Sequence, residues 1–135
     1  MEECVMGRNR LDYKKFDSGL IAVAVSGNTT IITSEILDAS YRELGIHVHN
    51  TDAEALDALI LQVEIHPDAS FQDYIADWST ENRYVIRATA TLNTLAASSI
   101  GVASVLLPPC NRIRIIGSSA VAPSDVQIFG AFGRI

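Results

Sequence analysis

From Leu20 onward, short apolar runs rich in β-branched residues alternate with brief polar, Gly or Pro punctuation. The runs Leu20 to Val25 and Thr29 to Ile36 flank Gly27-Asn28, a pair able to supply the positive φ of a two-residue loop, which predicts a β-hairpin. Ser34 to Gly45 admits two readings. One is a helix capped by Ser34 and stopped at Gly45; the other is a continuing strand that turns at Asp38-Ala39-Ser40. The flanking strands and the lack of a helical apolar stripe favour the strand. After Gly45 the alternation sharpens, with Ile46 and Val48 facing one way and His47 and His49 the other. In Ala58 to Ile65, Leu59, Leu61, Val63 and Ile65 share a face opposite Gln62 and Glu64, the period of a half-buried strand. Asn50 to Asp57 between them suits a loop or a single helical turn.

His66-Pro67-Asp68 ends that strand, because proline cannot donate to a ladder. Residues 68 to 82 form the longest irregular stretch and carry Phe71, Tyr74 and Trp78, read as a surface loop or a recognition loop. Four more strands follow, at Tyr84 to Leu92, Gly101 to Leu107, Arg112 to Gly117 and Asp125 to Phe132. About eight strands without a long helix predict an all-β protein, an antiparallel Greek-key or jelly-roll-like β-sandwich. Residues 18–135 make the single sandwich domain, and residues 1–17 an extended N-terminal arm that is either mobile alone or ordered by docking on a neighbour. The run Val126 to Phe132 is apolar on both faces, so it needs cover on both sides, from the fold itself or from a sister subunit.

Composition narrows the function classes. The chain has 135 residues, one domain's worth, and its 48% hydrophobic and 19% charged residues describe a folded protein. A net charge of −6, with Lys14-Lys15 the only adjacent basic pair, argues against nucleic acid as a partner. Cys4 and Cys110 stand at no motif spacing and read as free thiols of a reducing compartment. Glu2 and Glu3 replace a basic leader, and Leu20 to Val25 is too short and too late for a signal or a membrane span. The expectation is a soluble protein, made in a cytoplasm, with no membrane partner.

Chemistry-bearing motifs are sparse. His47-x-His49 followed by Glu54 has the spacing of a facial metal set and of the first half of the cupin motif. Tyr41 and Leu61 stand where that motif has glycines, and no histidine follows His66. No serine lies in a nucleophile elbow, and no glycine loop cradles phosphate. The expectation is no enzyme, no cofactor and no metal, with His47, His49 and Glu54 the residues to check. Trp78 and Tyr74, with Asp73, Asp77 and Asn82, have the composition of a carbohydrate site.

The stretch from Leu56 onward resembles a group of small phage and prophage virion proteins, found as head-decoration, cement or other particle-associated subunits. Three elements carry the likeness. They are Leu56-Asp57-Ala58-Leu59-Ile60-Leu61-Gln62-Val63 with His66-Pro67-Asp68-Ala69; Thr91-Leu92-Asn93-Thr94-Leu95-Ala96-Ala97; and Asn111-Arg112-Ile113-Arg114-Ile115 ahead of the terminal strand. The resemblance implies a non-enzymatic capsid decoration or cement subunit in the virion, made in the host cytoplasm. It also implies a homo-oligomer, threefold by analogy, bridging capsid or other virion proteins. Tyr13 and Phe16, the loop with Phe71, Tyr74 and Trp78, and the strand with Phe129 and Phe132 are the expected contacts. A carbohydrate-binding module, tail-associated, is the alternative, with a cupin-like metal enzyme behind it.

Overall fold

The computed structural model describes residues 13–36, 41–75, 85–88, 92 and 94–134. Among the described residues ten strands run in chain order: β1 (Tyr13–Asp17), β2 (Ile21–Val23), β3 (Thr29–Glu35), β4 (Tyr41–Asn50), β5 (Leu56–Glu64), β6 (Gln72–Ile75), β7 (Val85–Ala88), β8 (Ser99–Leu106), β9 (Arg112–Ser119) and β10 (Ser124–Arg134). They form two antiparallel sheets packed face to face. Sheet A has the order β1-β10-β4-β8-β7, with β2 also on β10, and sheet B the order β3-β9-β5-β6. Apart from β7, the chain winds as a jelly roll, crossing between the sheets after β2, β3, β4, β6, β8 and β9.

β1 and β2 are one interrupted strand on the same side of β10. Tyr13 to Asp17 pair with Gly133 to Phe129, and Ile21 to Val23 with Val126 to Ser124. At the break, Ser18 keeps the ladder closed: its N–H donates to the Ile128 carbonyl at 2.9 Å, and its hydroxyl accepts from the Ile128 N–H at 2.8 Å. Residues 13–17 of the expected arm therefore belong to their own chain's sheet. Residues 1–12 lie outside the described residues.

The predicted strand from 29 holds, and residues 34–35 and 41–45 are strand, in β3 and β4; the turn expected at Asp38-Ala39-Ser40 lies outside the described residues. The predicted hairpin does not form. Gly27 does adopt φ +69°, but its turn carries the chain from sheet A to sheet B, where β3 pairs with β9 rather than β2. Gly45 ends nothing. It sits inside β4, whose ten residues run from Tyr41 to Asn50. The loop expected at 68–82 contains an edge strand, β6, paired with β5.

Inward-facing residues alternate along each strand as the pleat requires. Leu44, Ile46 and Val48 of β4, Val105 of β8 and Val126, Ile128 and Phe132 of β10 meet Leu59, Leu61 and Val63 of β5 and Ile113 and Ile115 of β9. Each contributes on the order of 1.5–3 kcal/mol by leaving water. Ile65, expected on that inner face, lies beyond the end of β5 and is exposed. At one end of the sandwich, buried Asn50 ties three segments together. Its amide donates to the carbonyls of Glu54 (2.7 Å) and Ala96 (3.1 Å), and its oxygen accepts from the Ser124 hydroxyl (2.7 Å).

Candidate functional site

The two outer faces of the sandwich differ. On sheet B, side chains of neighbouring strands cover one another in rows. Glu35, Arg112 and Glu64 stand side by side, as do Thr33, Arg114, Gln62 and Asp73. Arg112 donates to both Glu64 oxygens, at 2.6 and 3.1 Å. Arg114 Nε donates to the Gln62 oxygen at 2.8 Å, and the Gln62 amide donates to Asp73 at 2.7 Å. The Phe71 ring lies under both guanidinium groups, 4.2 Å from Arg114 and 5.1 Å from Arg112. Gln62 and Glu64 face outward as predicted, yet both are buried beneath this layer. The Arg112 hydrogen bonds hold the Glu64 carboxyl below its ordinary range despite that burial.

Among the described residues, sheet A has no such cover at its centre. Register places its outward residues in parallel rows. Asp17, Phe129, His47 and Val102 form one; Lys15, Ala131, Gly45 and Ser104 form the next. The first is a ridge, with Phe129 37% exposed and His47 exposed. The second is a trough, small at Ala131, Gly45 and Ser104 and closed at one end by Lys15, and a side chain added at Gly45 would meet nothing within 4 Å. An open depression of about 740 Å³, lined by Lys15, Asp17, Gly45, His47, Phe129 and Ala131 among others, marks the trough. A second hollow of about 340 Å³ continues it past Gly45 to Ser104 and Glu43. Beyond the ridge, His49 packs edge-on against Phe129 at 5.1 Å, and Ile100 is 56% exposed. Asp17, at the ridge end, is held below its ordinary carboxylate range by the Gln127 amide and the Gly19 N–H.

The predicted site residues separate accordingly. Phe129 belongs to the open face. Phe132 is fully buried in the core and offers nothing to a partner. Phe16 points inward too, over Gly130 and 5.4 Å from the Phe132 ring, because its register partner is an inward position of β10. Tyr13 starts β1 opposite Gly133. Tyr74 is half-buried, and its hydroxyl donates to the Leu106 carbonyl across the two sheets at 3.0 Å, a structural strut. Phe71 is engaged by the arginines. Asp77, Trp78 and Asn82 lie outside the described residues, so of the carbohydrate set only Tyr74 and Asp73 are placed, and both are hydrogen-bonded within the fold.

His47 and His49 do share a face, their rings 6.4 Å apart, but that face is the outside of sheet A. The interior beneath them is filled by Ile46 and Val48. Glu54 does not join them: among the described residues no three His, Cys, Asp or Glu side chains gather as a metal set. The trough was missed in the sequence because it consists of what is small, and only register reveals that Ala131, Gly45 and Ser104 are neighbours. The chain matches no protein-family model, and no curated protein is recognisably similar to it.

Proposed function

We propose that this protein is a non-enzymatic virion structural subunit, a capsid decoration or cement protein, that assembles through the outer face of sheet A. The observation that carries the reading is the asymmetry of the sandwich. Sheet B is roofed by its own arginines and Phe71, while sheet A presents Phe129, Ile100 and Leu106 around an open trough. Uncovered apolar surface of this kind marks an interaction site on a folded protein. The jelly roll is also an architecture of viral capsid and lectin domains, which supports the reading by analogy. Many weak contacts on a lattice add through avidity, and a net charge of −6 keeps an abundant subunit soluble before assembly.

The test is immunogold electron microscopy of particles from the source that encodes the chain, with wild-type protein and a Phe129→Thr variant. Regular label over the shell for wild type, reduced for the variant, is the expected result. Particles without label overturn the reading.

A further inference from the structure

We infer that the occupant of the open face of sheet A is a second copy of this chain, paired through a twofold axis that lies parallel to the rows and between ridge and trough. The inference rests on the assembly reading above and supplies the partner.

An isologous interface must be complementary to itself, so one patch has to carry both a protrusion and the hollow that receives it. The outer face of sheet A does. The ridge Asp17-Phe129-His47-Val102 lies next to the trough Lys15-Ala131-Gly45-Ser104, one strand pitch away, across the same four strands. A twofold axis running along the rows exchanges the two. It lays Phe129 and His47 of each copy over Ala131 and Gly45 of the other, into the open depression of about 740 Å³.

The same operation preserves position along the row, and this decides the register. Asp17 at the ridge end meets Lys15 of the second copy at the trough end, twice by symmetry. A twofold perpendicular to the rows would set Asp17 against the Ser104 and Val102 end and lose that match. Asp17 is held ionised by Gln127 and the Gly19 N–H, so its charge is in place for the contact. Because the ridge and trough are on one face, the pairing closes on two copies, in place of the threefold arrangement expected by analogy.

The experiment is sedimentation velocity on the full-length chain, with circular dichroism to confirm folding of each variant. Wild type is expected at twice the chain mass. Gly45→Arg, which fills open space, is expected to be folded and monomeric. Lys15→Asp and Asp17→Lys are each expected to weaken the dimer, and the double swap to restore it. A monomeric or trimeric wild type, a dimer indifferent to Gly45→Arg, or a double swap no better than the single variants overturns the pairing. Particle label together with a wild type that is monomeric, or that stays dimeric as Gly45→Arg, overturns the pairing while leaving the virion reading intact; wild-type dimer without particle label does the reverse.

Discussion

Phe16 stands where a side chain on Gly130 would be: a Cβ built on Gly130 comes within 2.1 Å of the Phe16 ring. Glycine at this point of β10 lets β1 lay its aromatic across the strand and reach Phe132. Gly130→Ala is therefore expected to displace the ring and destabilise the fold by about 1–3 kcal/mol, as overpacking does. Urea unfolding checks this. Loss of β1 protection in hydrogen exchange, with β5 and β9 retained, would locate the damage.

The two phenylalanines of β10 should separate cleanly. Compared at a concentration too low for pairing, Phe129→Thr is expected to cost only about 1 kcal/mol, since the ring is already 37% exposed in the single chain. Phe132→Asp places a charge in the core and is expected to abolish folding, a loss above about 4 kcal/mol. Thermal denaturation of both variants reads the difference directly.

The Glu64–Arg112 pair gives sheet B an acid-sensitive contact. The native pKa of Glu64 is lowered by Arg112, so its stabilising contribution is fully present above the ordinary glutamate value, about 4.3, and is lost as pH falls through the lowered native value. Stability measured by denaturant between about pH 2 and 7 should fall on the acid side. In Glu64→Gln that limb should be shallower, with lower stability at neutral pH.

Asn50 is a buried hub whose amide satisfies carbonyls from two separate loops. Asn50→Ala removes these bonds and that from Ser124, leaving the Glu54 carbonyl only the Ser124 hydroxyl and the Ala96 carbonyl only that of Ser99, and is expected to cost about 1–3 kcal/mol. Limited proteolysis should then cut first within residues 51–55 or 94–98.

Cys110 is half-buried, and desolvation pushes its thiol up to about 11. In a Cys4→Ser background, alkylation at neutral pH is expected to be slow against a free cysteine and to accelerate only on unfolding.

How much of this was legible before the structure depended on the range of each signal. Period-two alternation is local, and it placed Ile46 and Val48 inside and His47 and His49 outside. Pairing is not local. Gly27 carried a true turn signal, but a turn encodes a dihedral angle and not the sheet that follows, so β2 and β3 parted. Gln62 and Glu64 were polar and outward, yet their burial depended on arginines from β9, supplied far along the chain. Phe16 and Phe132 read as adhesive because aromatics serve interfaces and cores alike. Register decided between the two, and register is a property of the folded sheet.

The place of β10 in sheet A has a consequence for synthesis. The last strand is the one on which β1, β2 and β4 all pair, so these strands leave the ribosome with no neighbour on that side and must wait for it. Sheet A is completed last, from contacts of the longest sequence separation, which slows folding. The delay also acts as a safeguard. Phe129 travels on β10 as well, so under the pairing proposed above a nascent chain lacks the centre of its ridge until β10 has emerged.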